Sequence, residues 1–300
     1  MTNLRYNAGE IITAMVTPFK KDLSIDYPSL EKLVNHLINT GSDAILVAGT
    51  TGETPTLSHD EEYEMFRFVK KTVNGRVKII MGAGSNSTET AVTSSIKAKE
   101  LGADAILSVV PYYNKPSQKG MYEHFSEVAK SVDLPVILYN IPGRTGVNML
   151  PVTIAKLANE HKNIAAVKQS NSDLDLISDI KSLCPDDFAI YSGDDSLTIP
   201  MMSLGAHGVI SVASHLVGND MKKMINAFKS GKVQEALDIH IKLYPLFRKL
   251  FMAPNPVPVK AALKYAGIIE EFVRKPLVVL DDEEKQQLFS VLDKYSFTVK

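Results

Sequence analysis

Short apolar runs recur along the chain, each followed by a glycine-rich or polar stretch and then by a segment with helical spacing. The runs are IITAMV (11–16), AILVAG (44–49), VKIIMG (77–82), AILSVV (105–110), PVILYN (135–140), IAAVK (164–168), FAIYSG (188–193) and GVISV (208–212). Apolar stretches of about five or six residues without polar alternation predict strands buried on both faces of a parallel sheet. The intervening segments carry stripes instead. Ser58 predicts an N-cap, with Glu61 placed as in a capping box, and Tyr63, Phe66, Val69 and Val73 share one face of a helix over 58–73. Thr88, Ala91, Ile96 and Leu101 are placed similarly over 88–101, and Gly102 marks a stop.

Successive runs begin 20 to 33 residues apart, about the length of one strand–helix unit, and their number predicts an α/β fold closed into a (β/α)8 TIM barrel. A doubly wound sheet would carry a glycine fingerprint after its first strand, and TPFKKD has no glycine there. The barrel core through strand eight is expected over 1–217. Residues 218–300 follow as a helical extension in the same compact unit, beginning with the last barrel helix over 218–230. A helix over 233–251 is expected to turn Val233, Leu237, Ile241, Tyr244, Phe247 and Phe251 to one face. Another runs from NPVPVK to about Ala266, and DDEEKQQLFSVLDKY forms the last.

Charge and cysteine usage exclude several classes. Lys+Arg 33 against Asp+Glu 34 gives a net charge of −1, with no electrostatic footprint for nucleic acid or an anionic membrane. MTNLRYNAGE has no signal-peptide apolar region, and the longest apolar runs are strand-sized, so a cytoplasmic protein is expected. Cys184 is the only cysteine, which excludes an intrachain disulfide and a multi-cysteine metal site. Its place before Pro185 at a helix end predicts an inert, partly buried thiol. The 7 histidines show no HExxH spacing, and neither a metal nor a cofactor is expected.

The unusual residues gather where the strands end, the side on which barrels of this kind build their sites. GTTGE (49–53), PYYN (111–114), YNIPGRTG (139–146), Lys168, SGDD (192–195) and ISV (210–212) follow successive runs. A lone lysine at a strand end is otherwise a side chain that snorkels to solvent. Desolvated among apolar residues, a lysine falls below its usual pKa of about 10.4, and its neutral amine forms a Schiff base with a ketone. The iminium then lets an adjacent methyl group lose a proton without a metal.

Tyr139 ends the preceding strand and can lie beside Lys168, where a phenol linked to another hydroxyl relays protons. Thr51 and Tyr113 are the candidate relay partners; apart from Lys168, Tyr139 would be an ordinary core tyrosine. GTTGE offers hydroxyls and backbone N–H groups suited to a carboxylate, and equally suits a turn leading into the helix over 58–73. Arg144 can clamp a second carboxylate bidentately or stand solvated on its loop. Asp194 and Asp195 are expected to cap a helix and to carry no chemistry.

In their order, GTTGE, PYYNKPSQKG, LYNIPGRTG, VKQS, YSGDD and GVISV resemble the pyruvate-dependent class I aldolase superfamily of dihydrodipicolinate synthase and N-acetylneuraminate lyase. The likeness covers nearly the whole chain, including NPVPVK. It implies Lys168 as the Schiff-base lysine, Tyr139 as proton donor and acceptor, and Thr50 and Thr51 as ligands of the pyruvate carboxylate. Thr51 is also implied in the relay, and Tyr113 as a relay tyrosine contributed across a dimer interface. Gly193 and Ile210 match positions lining the pyruvate pocket.

The paired threonines, the Tyr-Tyr-Asn loop and Arg144 resemble the synthase branch, in which the arginine holds the carboxylate of aspartate semialdehyde. The implied partners are pyruvate, aspartate semialdehyde and further copies of the chain in a homotetramer of two dimers. The alternatives are an N-acetylneuraminate or 2-keto-3-deoxy sugar acid lyase, and a non-catalytic barrel that binds a small acid. Gln169 departs from the acidic residue common in synthases. His59, Asn86 and Tyr112 resemble parts of a lysine-binding regulatory pocket, whereas Glu62 and Thr90 replace a histidine and a glutamate of it. Weak or absent lysine inhibition is therefore expected.

Overall fold

The computed structural model describes residues 3–295. The strands are β1 (Ile11–Ala14), β2 (Ala44–Val47), β3 (Lys78–Gly82), β4 (Ala105–Val109), β5 (Val136–Asn140), β6 (Ile164–Gln169), β7 (Ala189–Ser192) and β8 (Gly208–Ser211). They follow chain order round a closed barrel, and each expected apolar run supplies one of them. Most of their residues are buried, as a sheet covered on both faces requires.

One compact unit comprises the residues up to Gly9 and Ile79–Ile210. It holds β4 to β7 in parallel register together with α3 (Thr88–Glu100), α4 (Gln118–Ser131), α5 (Pro142–Thr145), α6 (Pro151–Glu160), α7 (Asp175–Leu183) and α8 (Thr198–Ser203). The stripe of α3 differs from the expected one. Ala91, Ser95 and Ala98 are buried, whereas Ile96 is exposed. Steps of four and then three from Ala91 lead to Ser95 and Ala98, and Ile96 lies about 100° off that face. Cys184 caps α7, half-buried, with its thiol pushed up to about 12 by burial.

The second unit comprises Glu10–Lys78 and the chain from Ser211 on. It holds β1 paired with β2, and the helices α1 (Tyr27–Asn39), α2 (His59–Val73), α9 (Ser214–Lys229), α10 (Val233–Lys249), α11 (Val257–Tyr265) and α12 (Asp282–Leu292). Both hydrogen bonds of the capping box at Ser58 and Glu61 are present, and Phe66, Val69 and Val73 are buried with Met65. Helix α9 begins before the expected 218 and breaks at Val217 (φ −124°, ψ 27°). Gly218 follows the break, where a Cβ would lie 2.4 Å from the Thr40 carbonyl oxygen.

Helix α10 turns its other face inward. Ala236, Leu243, Leu246 and Phe247 are buried, whereas Val233, Leu237, Ile241 and Tyr244 are exposed, as is Phe251 beyond the helix end. Two apolar stripes run along this helix, and spacing alone does not choose between them. Among the described residues no helix is long and apolar enough to cross a membrane.

Candidate active site

The arrangement in the first unit rests on the register of β5 and β6. Tyr139 pairs with Lys168, and Asn140 with Gln169. Successive strand residues face opposite ways, so Tyr139 and Lys168 share one face and Asn140 and Gln169 the other. Lys168 is 6% exposed and Tyr139 5%. The Lys168 Nζ stands 4.4 Å from the centroid of the Tyr139 ring, within reach of its π face.

Gln169 is buried away from that face. Its Oε1 accepts from Asn140 Nδ2 at 3.1 Å, and the same amide donates to the Met149 carbonyl at 3.1 Å while its Oδ1 accepts from Met149 N–H at 3.0 Å. The departure at position 169 is thus taken up by a polar cluster that tethers the segment after α5, on the side opposite the lysine.

Gly193 lies against the same lysine. Its N–H donates to the Gln169 carbonyl at 2.8 Å. A Cβ added there would stand 1.7 Å from Ser170 Oγ and 3.0 Å from Lys168 Cε, so only glycine fits. The Ser170 hydroxyl is buried without a hydrogen-bond partner among the described residues. Sequence reading missed it; its signal was the period of two, which returns Ser170 to the face of Lys168.

Asp194 departs from expectation too. It occupies the cap position of a short 3-10 turn over Asp195–Leu197, but its side chain makes no capping bond. Burial raises its carboxyl pKa, and the positive charge of Lys168 acts in the opposite direction. An acidic group therefore lies within electrostatic reach of the lysine. Ile210 is buried on β8. Arg144 is exposed on α5, and its side chain makes no hydrogen bond or ion pair within the described residues. Tyr113 is 89% exposed and holds a left-handed backbone (φ 72°), a strained conformation for an aromatic residue.

In the second unit Thr50 and Thr51 open a 3-10 turn over Thr50–Gly52. Thr51 is buried, and Asn255 Nδ2 donates to its Oγ1 at 2.9 Å. The next residue but one, Glu53, has a left-handed backbone (φ 60°) and a fully enclosed carboxylate. Lys260 Nζ lies 2.6 Å from its Oε1, and Arg274 N–H donates to its Oε2 at 2.9 Å. Arg274 in turn holds Glu61 with a two-pronged contact, one bond of 2.8 Å, and pulls that carboxyl down to about 2. Burial pulls the Lys260 ammonium down to about 8, although Glu53 works the other way.

The segment after α10 thus braces the GTTGE turn at three points. Asn255, Lys260 and Arg274 were not singled out in the sequence, because their partners lie about 200 positions away and no local pattern marks them. Among the described residues no group of His, Cys, Asp and Glu could hold a metal.

These features place the chain among the (β/α)8-barrel enzymes, with a buried lysine at the next-to-last position of β6. It belongs to the Dihydrodipicolinate synthetase family, whose sequence profile matches residues 7–295. The 4-hydroxy-tetrahydrodipicolinate synthase of Cyanothece sp. (strain PCC 7425 / ATCC 29141) is 52% identical over 287 residues, covering 95% of this chain and 97% of that protein. A dihydrodipicolinate synthase from Cyanidioschyzon merolae, solved with lysine bound, superposes with a TM-score of 0.94 at 48% identity, over 96% of this chain and 98% of that one. A structure described as the first monomeric dihydrodipicolinate synthase variant reaches 0.93 at 40% identity, over 95% and 96%.

Proposed function

We propose that the chain condenses pyruvate with L-aspartate 4-semialdehyde, giving 4-hydroxy-tetrahydrodipicolinate in lysine and diaminopimelate synthesis. The observation that carries this is the buried Lys168 in register with Tyr139 on one face of the β5–β6 pair. The Lys168 amine attacks the pyruvate keto carbon, and water leaves as the iminium forms. The methyl carbon loses a proton to give an enamine, which attacks the aldehyde carbon and forms the new C–C bond. The resulting alkoxide takes a proton. The product's own amine then displaces Lys168 at the former keto carbon, closing the ring and freeing the lysine.

Tyr139 gives and takes the protons, with Thr51 and Tyr113 as the other relay hydroxyls. Thr50 and Thr51 receive the pyruvate carboxylate, Gly193 and Ile210 line the pocket, and Arg144 receives the carboxylate of the aldehyde. The exposure of Arg144 leaves its guanidinium accessible to a ligand carboxylate. The exposure of Tyr113 supports its contribution to a second copy of the chain, and the assembly proposed is a homotetramer of two dimers in the cytoplasm. The C. merolae protein was solved with lysine. In this chain Glu62 is buried against His59 at 3.2 Å, which supports weak lysine binding.

A coupled assay tests the reaction: pyruvate and aspartate semialdehyde are supplied, and a reductase consumes the product with NADPH. Rapid NADPH loss that requires both substrates is expected. No loss, with sugar-acid aldehydes accepted instead, would overturn the assignment of the aldehyde.

A further inference from the structure

We propose that Asn255 is a positioning residue that fixes the direction in which the Thr51 hydroxyl passes its proton. This rests on the assignment of Thr51 to the proton relay. A threonine hydroxyl has one proton and two lone pairs, and can turn about its C–O bond. Asn255 Nδ2 donates to Oγ1 at 2.9 Å and so occupies one lone pair. The O–H bond of Thr51 must then point away from Asn255, and the second lone pair stays open to accept. That is the state a relay hydroxyl needs: one neighbour gives it a proton while it gives its own to another.

Both ends of this bond are held. Thr51 sits in a turn closed by Gly52 N–H to the Gly49 carbonyl at 2.9 Å and Glu53 N–H to the Thr50 carbonyl at 3.1 Å. The Thr17 hydroxyl donates to the Gly52 carbonyl at 2.6 Å. Asn255 stands just ahead of α11, whose Lys260 is clamped to Glu53 in the same turn. Among the described residues the Asn255 Oδ1 is buried without a partner, so there the side chain is held by its donor. The C-terminal extension, on this account, reaches the chemistry through one amide.

The test uses Asn255→Asp, Asn255→Ala, Thr51→Val and the double variant Thr51→Val/Asn255→Ala, each checked for an unaltered melting transition. An ionised aspartate can only accept, so it takes the Thr51 proton for itself. Asn255→Asp should lower kcat on the order of 100-fold at neutral pH, with the pyruvate KM held within about twofold. Its rate relative to the parent should rise as pH falls, because the protonated acid donates again. Asn255→Ala should lower kcat about tenfold without that pH trend, and should add nothing once Thr51 is valine.

An Asn255→Asp enzyme with the parent's kcat, or with a relative rate independent of pH, would overturn the proposal. So would additive losses in the double variant, which remain readable if the aspartate variant does not fold. Parental kcat in Thr51→Val would instead remove the relay assignment on which the proposal rests.

Discussion

Lys168 and Tyr139 are register partners on adjacent strands, and the lysine amine stands 4.4 Å from the tyrosine ring centroid. The pairing follows from parallel β5–β6 hydrogen bonding, so neither side chain can leave the other's neighbourhood without a slip of the strand. A one-residue slip would carry Lys168 to the face now held by Gln169. The polar cluster of Asn140, Gln169 and Met149 pins that register from the opposite face.

Arg144 should govern the aldehyde and not pyruvate. Arg144→Ala is expected to raise the aldehyde KM by on the order of tenfold to a hundredfold, the loss of one charged hydrogen-bonding group. Pyruvate trapping and the melting temperature should not change, since the side chain has no partner among the described residues. Steady-state kinetics with each substrate varied in turn would expose a mistake as an unchanged aldehyde KM.

The Glu53–Lys260 pair should matter most when half of it is removed. Both side chains are enclosed, at 1% and 0% exposure, so Lys260→Met strands a carboxylate in the interior. A loss of ~3–5 kcal/mol is expected from that single change, largely recovered in Glu53→Gln/Lys260→Met. Urea unfolding of the three proteins measures it; a single variant as stable as its parent would refute the role given to this brace.

Stability should fall on mild acidification. Burial holds His124 and His215 at about 4, below the ordinary 6.5. Between those values each ring is neutral in the folded chain and protonated in the unfolded one. The contribution is therefore complete above about 6.5 and is lost as pH falls toward 4, at up to about 1.4 kcal/mol per pH unit for each group. His124→Asn keeps a polar atom near Thr88 and should flatten part of that slope. Equal slopes in parent and variant would contradict it.

Lysine should inhibit weakly. Burial raises the carboxyl pKa of Glu62, and the ring of His59 engages its Oε2 at 3.2 Å. A dose response into the millimolar range should leave most of the rate; half-inhibition well below that range would show that the substituted pocket still binds.

The strands were legible because each combines an uninterrupted apolar run with a polar or glycine boundary, and Lys168 stood out as the one charge closing such a run. The faces of α3 and α10 were not. Ile96 and Ile241 are as apolar as any core residue, and only the packing of neighbouring elements decides which stripe is covered. The position of Gln169 could be reasoned from strand alternation, and the structure places it away from the lysine. Asn255, Lys260 and Arg274 were illegible for another reason: each acts on a turn brought to it only by the completed fold. Ser170 was legible in principle, two residues beyond Lys168, but a serine there carries no local mark until Gly193 is seen to make room for it.

The measurement that tests the central claim most directly is reduction with borohydride in the presence of pyruvate, followed by mass spectrometry of the digested protein. One reduced pyruvate adduct is expected, confined to the peptide bearing Lys168 and absent from Lys168→Ala. An adduct on another lysine, or one that persists in Lys168→Ala, would contradict the assignment of the nucleophile.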